Sequence, residues 1–316
     1  MKKWLMVLLV LCGLALICSY FFIPARINFA KVTYIKANIN SATRYIYDET
    51  KWRKWWPAAM QGGLSDSGKN EQLYSYKNHS YVIKRKMHEG MSILIEHDSN
   101  MVNSFLHIIA LKRDSIAVEW KGDLPATYNP FKKISNYILA TKVKRNISEV
   151  LQTAKMFLEN KENVYGLQII QEKVEDTLLI STRHTSKEYP STATIYNLIK
   201  NLSDYIFLHG AKETNYPMLN VMQDSSVYNT MVAIPINKGI PPNENFLLKK
   251  MVPGKILVTE VKGGRYTADD GLKRLTIYME DNLMRSPAIP FESLVTDRTK
   301  EPDTAKWITK IYYPVY

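Results

Sequence analysis

Chemistry in a protein chain needs nucleophiles, acids and bases or metal ligands at fixed spacing, and this sequence of 316 residues offers few such sets. Its two cysteines, Cys12 and Cys18, both fall in one apolar run. The rest of the chain therefore has no thiol for a disulfide, a nucleophile or a zinc site. The six histidines are dispersed and form no His-x-x-x-His pair, so no metal is expected. His88 and His97 flank a strand-like run and are placed to face each other across a hairpin, where turn-adjacent histidines are ordinarily just solvated. Nucleophile-elbow, phosphate-loop and dinucleotide-fingerprint patterns are missing. Conventional hydrolase, kinase and dinucleotide chemistries lack their parts, no catalytic set is assigned, and no cofactor is expected.

What remains is a strand-like run that carries an acid. Glu292 lies in the strand-like run Phe291 to Thr296, and Trp307 follows fifteen residues later at the start of another, Trp307 to Val315. Alternation with period two places Trp307, Thr309, Ile311 and Tyr313 on one face of that last strand. Were such a carboxylate set among aromatic rings it would be poorly solvated, and a lipophilic cation would restore Coulomb pairing while stacking on the ring faces. Composition alone gives the blander reading, because a glutamate in an edge strand is ordinarily a solvated surface residue.

The elements that must position Glu292 come in two similar runs. Strand-like segments Leu167 to Val174 and Thr177 to His184 precede a helix opened by Ser191-Thr192, with Ile195, Leu198, Ile199, Leu202 and Ile206 on one side and Gly210 past its end. Strands near Met218 to Met222 and Val227 to Pro235 complete the first half. From Phe246 the order repeats: a strand to Met251, a strand Lys255 to Lys262, a helix from about Thr267 to Met284, then the two strands carrying Glu292 and Trp307. A groove between two such halves is a natural ligand site.

The segments "PGKILVTEVKGGRY" and "PFESLVTDRTKEPDTAKWITKIYYPV" resemble the GyrI-like, or AraC-type effector-binding, domain, over residues 163–316. The resemblance implies that the strand acid, here Glu292, projects into an aromatic pocket and pairs with cationic ligands. It also implies that Trp307 and Tyr266 are pocket residues, and the strand alternation adds Tyr313 as a further wall residue. Lys310 stands where the family commonly has an acid, on the side of the strand opposite Trp307. The function so implied is binding of a small hydrophobic or cationic molecule, by a sensor or carrier. The alternative is a hydrolase of small electrophiles with Glu292 as general base, since some relatives of the domain are hydrolases.

Ahead of this module, residues 27–160 read as a strand, a short helix capped by Asn40 or Ser41, an aromatic concentration at Trp52, Trp55 and Trp56, a meander of strands and a long helix. That helix shows Ile147, Val150, Leu151, Ala154, Phe157 and Leu158 on one apolar face. The order, with "INSATRYIYDETKWRKWWP", "EWKGD" and "NPF", resembles the polyketide-cyclase and START-like (SRPBCC) superfamily, which implies a sheet gripping a helix. Trp52, Trp55, Trp56 and Trp120 either line a cavity there or fill the core.

Lys2 and Lys3 precede an apolar run from Trp4 to Ile23, long enough at 1.5 Å per residue to span a bilayer of ~30 Å. Residues 1–26 are thus expected to form a single-pass membrane anchor, with the body on the periplasmic or outer face by the position of the lysines. The expected fold class is α+β: a transmembrane helix, a START-like domain and a GyrI-like domain of two pseudo-symmetric halves. The net charge of +12 is spread over short clusters such as Lys84-Arg85-Lys86, and no nucleic-acid-binding motif accompanies it, so no nucleic-acid partner is expected.

Overall fold

The computed structural model describes residues 4, 6, 7, 10, 11, 13, 20–57, 74–98, 100–175 and 177–316. The chain is α+β and divides into two compact units, Met1–Asn160 and Lys161–Tyr316. Among the described residues no helix is long and apolar enough to cross a membrane, which corrects the expectation of a transmembrane anchor. A span needs some 20 consecutive apolar residues in one helix. The longest described helix, Pro130–Glu159, is interrupted by Lys132, Lys133, Lys142, Lys144 and Arg145. Residues 5, 8, 9, 12 and 14–19 of the Trp4 to Ile23 run lie outside the described residues. The single-pass localisation and the periplasmic orientation derived from that run fall with it.

The first unit is built on an antiparallel sheet in the order β1-β6-β5-β4-β3-β2. Its strands are β1 (Ile27–Ile35), β2 (Tyr74–Tyr76), β3 (His79–Met87), β4 (Gly90–His97), β5 (Asn100–Lys112) and β6 (Ser115–Leu124). Sequential hairpins bring β2 to β6 side by side, and β1 closes on β6 from Ile27↔Leu124 to Ile35↔Ile116. Helix α1 (Ile39–Ile46) follows β1; its N-cap is Asn38, whose Oδ1 accepts the Ser41 N–H at 2.7 Å. Helix α2 (Pro130–Glu159) starts on a proline, which needs no N–H there, and Asn129 Oδ1 accepts the N–H groups of Phe131 and Lys132. Val143, Ile147, Val150, Leu151, Ala154 and Leu158 form its buried stripe, and it packs on β1 and β6.

Trp52, Trp55, Trp56 and Trp120 are core side chains, each with at most 1% of its surface exposed. Trp52 stacks on Trp56 with centroids 5.2 Å apart, and Tyr74 and Tyr81 complete the cluster. Every indole N–H finds an acceptor: Ile46 O, Tyr45 O, Ser75 O and Ser104 Oγ. Rings packed on rings with all N–H groups bonded make a rigid interior. The histidine expectation changes as well. His88 and His97 sit beyond one end and at the other end of β4, and His97 instead stacks on His79 of β3 at 4.1 Å.

The second unit carries helix α3 (Lys161–Tyr165), strands β7 (Ile170–Lys173) and β8 (Leu178–Ser186), and helix α4 (Thr192–Leu208). Strands β9 (Met218–Asp224), β10 (Val227–Pro235), β11 (Leu247–Lys250) and β12 (Lys255–Lys262) follow, then helix α5 (Arg265–Asp281), β13 (Phe291–Leu294) and β14 (Ile308–Val315). The sheet order is β11-β8-β10-β9-β13-β14-β12-β7. Exchanging β7 with β11, β8 with β12, β9 with β13 and β10 with β14 reproduces that order reversed. The unit therefore has two equivalent halves about a seam between β9 and β13, and each half contributes its first strand to the other's edge. Helix α4 packs on β8 and β10, helix α5 on β12 and β14, and both lie on the same face of the sheet. Leu219 and Leu294 of that face join the α4 core, and the Gly271 backbone of α5 meets Ile311 and Val261 there.

Candidate functional site

The two helices pack on the flanking strands β8, β10, β12 and β14, and Leu219 and Leu294 of the seam strands reach the α4 core. Glu292 is on β13 at that seam, paired with Leu219 on one side and Ile311 on the other. Directly paired residues of antiparallel strands point to the same face, so Glu292 lies on the helix-bearing face. It is not an edge-strand residue, because β13 is the fifth strand of eight. Its side chain is 21% exposed. Burial pushes the carboxyl group above its ordinary proton affinity, outweighing the neighbouring Arg298, which acts in the other direction.

Arg298 comes from the loop between β13 and β14. Asp297 opens that loop, accepting the Thr299 N–H and hydroxyl. The loop then folds back onto α4, where the Tyr196 hydroxyl accepts the Arg298 N–H at 2.7 Å and donates to Thr296 O. The guanidinium, 8% exposed, stands 3.6 Å from Glu292 Oε2. This exceeds the ~2.7–2.9 Å of a charge-assisted hydrogen bond. Its firmer partners are Thr309 Oγ1, which accepts from Nη2 at 2.9 Å, and the Trp307 ring, over which it lies at 4.8 Å. Arg298 Nε is buried with no acceptor among the described residues. The cation is thus held beside the carboxylate, not clamped to it.

Across from Arg298 lies a second set. Tyr189, just before α4, packs edge-on against Tyr228 and carries the Arg265 guanidinium 3.3 Å above its ring. Arg265 in turn reaches Asp269 one helical turn on, at 3.4 Å. Burial, then the negative charge of Glu292, pushes the Tyr189 phenol up to about 12. Glu292 therefore stands near a carboxylate (Asp269), two guanidinium groups (Arg298 and Arg265) and the Tyr189 phenol. The floor of the same face carries Thr230 and Thr259, whose buried hydroxyls have no hydrogen-bond partner among the described residues.

Of the four residues singled out from sequence, Glu292 and Trp307 are brought together, with Arg298 between them. The Trp307 indole donates to Glu301 O at 2.8 Å, which fixes the ring against the guanidinium. Tyr313 is half-buried on the same strand face, two residues beyond Ile311 and paired with Leu257. Tyr266 is not brought to Glu292: it is 85% exposed. Gly264 is the N-cap of α5, and the helix phase set there leaves Tyr266 in solvent while its neighbour Arg265 meets Tyr189. Arg298, Tyr189, Tyr196 and Arg265 were not legible beforehand. The nearest signal was a single arginine six residues after the strand acid.

No family profile matches the chain, and no curated protein matches it. Solved structures similar in fold include the EcmrR C-terminal domain, at 16% identity and TM-score 0.41, covering 48% of this chain and 98% of that one. Another is SAV2435 bound to tetraphenylphosphonium, at 13% identity and TM-score 0.32, covering 47% of this chain and 94% of that one. A third is a hydrolase from Listeria innocua, at 12% identity and TM-score 0.34, covering 46% of this chain and 91% of that one. The chemistry of the site rests on its own side chains.

Proposed function

We propose that the second unit is a small-molecule-binding domain of the GyrI-like kind, and that Glu292 pairs with a positively charged, apolar ligand at the seam between the two halves. The supporting observation is a carboxylate enclosed on an interior strand whose internal cation stands at 3.6 Å and is anchored mainly to Thr309 and Trp307. A buried carboxylate with incomplete pairing gains when a ligand supplies a closer positive charge. Trp307 and Tyr189, whose rings already carry the Arg298 and Arg265 guanidinium groups, are the aromatic surfaces offered to the same ligand. Tyr313 extends that wall. The first unit, with its antiparallel sheet and long C-terminal helix, is proposed to be a START-like helix-grip domain.

Tetraphenylphosphonium, a permanent lipophilic cation, is the probe. It should raise the melting temperature of the wild type in a concentration-dependent way, and Glu292→Gln should abolish the rise. Equal stabilisation of both proteins would remove Glu292 from the mechanism. A second reading has one observation in its favour. The raised proton affinity of Glu292 is what a general base near neutral pH needs, so a strained electrophile such as an epoxide should be hydrolysed faster by wild type than by Glu292→Gln if the site is catalytic.

A further inference from the structure

The opposite face of the same sheet holds a cavity of about 550 Å³. Its floor is set by the strand pairing. Met218 pairs with Ala233, and Met231 with Asn220, each one residue out of phase with Leu219 and therefore facing away from Glu292. Leu179, Met251 and Phe291 complete an apolar wall. The volume falls within the ~300–1,000 Å³ of ordinary small-molecule pockets. Three methionines give a lining that adapts to irregular apolar shapes.

Asn220, Lys249, Lys250 and Lys255 also line the cavity, and Lys249 points to the ligand's charge. Lys249 lies on β11 opposite Leu179; it is half-buried, and its Nζ stands 2.8 Å from Met231 Sδ, a weak acceptor. Among the described residues no carboxylate pairs with it. Burial, followed by the positive charge of Arg183, lowers its proton affinity. Arg183 is on the same face, paired with Met231. An ammonium group at the edge of an apolar cavity, next to a second cation, is stabilised by an anion that enters with an apolar body.

We propose that this cavity is a second ligand site, separate from Glu292, that takes an amphipathic organic anion with its apolar body on the methionines and its carboxylate or sulfonate on Lys249. The test uses the full chain and two naphthalene probes, anilinonaphthalene sulfonate and the uncharged phenylnaphthylamine, in fluorescence titrations. Wild type should bind the sulfonate saturably at one site. Lys249→Met should weaken the sulfonate about tenfold or more, the size of one lost charge-assisted contact, and leave the uncharged probe unchanged. Lys249→Arg should restore the sulfonate. Met251→Trp, at the wall just past β11 and packed on Leu179 and Met218, should weaken both probes, and Glu292→Gln neither. Unchanged sulfonate binding by Lys249→Met overturns the proposal, as does loss of sulfonate binding in Glu292→Gln. That second result places the anion at the Glu292 face. The cation reading of Glu292 is scored separately, with tetraphenylphosphonium as its probe.

Discussion

Glu292 and Arg298 stand 3.6 Å apart, yet burial still holds the carboxyl above its ordinary proton affinity. Two consequences follow for pH. An acid whose folded pKa lies above its unfolded value of ~4.3 contributes stability that is complete below the unfolded pKa and lost as pH rises through the folded one. Ligand binding runs the other way. A cation requires the ionised form, so tetraphenylphosphonium affinity should fall as pH drops through the raised pKa, and isothermal titration should show proton release on binding. Glu292→Gln should have no such pH dependence; a wild-type affinity that stays constant from about pH 8 to about pH 4 would refute the assignment. Arg298 sharpens the case. It is the largest influence lowering the Glu292 pKa and it repels an incoming cation. Arg298→Gln should therefore move the midpoint of the pH profile upward, and above that midpoint tighten tetraphenylphosphonium binding about tenfold, roughly 1.4 kcal/mol. Weaker binding would mean that Arg298 organises the site instead of competing for it.

The position of helix α5 relative to the sheet rests on a glycine. A Cβ built at Gly271 would lie 2.7 Å from Ile311 Cδ1 and 2.9 Å from Val261 Cγ1, so the helix backbone approaches the sheet as closely as it does only because that atom is missing. Alanine in a helix interior is favoured over glycine by ~1 kcal/mol, but overpacking costs ~1–3 kcal/mol. Gly271→Ala should therefore lower the melting temperature despite the better propensity, and because Ile311 is the cross-strand neighbour of Glu292 it should also weaken cation binding; a higher melting temperature would show that Ile311 and Val261 yield freely. The close approach was not visible in the sequence, although most elements were. Lys255–Lys262 and Val227–Pro235 are apolar runs rich in β-branched residues, and Ser191 and Gly210 mark the ends of α4. Tyr74–Tyr76 is too short for any period to show. The place of β13 inside the sheet could not be read either, because strand order is a non-local property and a four-residue strand beside prolines looks like an edge.

At the scale of the molecule, the seam explains why a local reading found the acid and missed its surroundings. Glu292, Trp307 and Tyr313 lie within one stretch of chain, whereas Tyr189 and Tyr196 arrive from the first half and Arg265 from the start of α5. Only the reversed strand order, in which each half gives an edge strand to the other, brings them together. The same exchange makes the halves interdependent: β7 pairs with β12 and β11 with β8, so neither half keeps its sheet alone. The unit as a whole is different. It has its own apolar core under α4, and α3 is fixed within it by the Tyr165 hydroxyl on Asp281 at 2.9 Å and by the Tyr165 ring against Tyr278. Residues 161–316 produced alone should therefore melt in a single cooperative transition and bind tetraphenylphosphonium within about twofold of the full chain, a difference of only ~0.4 kcal/mol. A fragment ending near residue 245 should not fold, since it lacks β11 and every strand of the second half. If the 161–316 fragment folds but no longer binds the cation, the site needs residues outside the second unit and the seam alone is not the binding element.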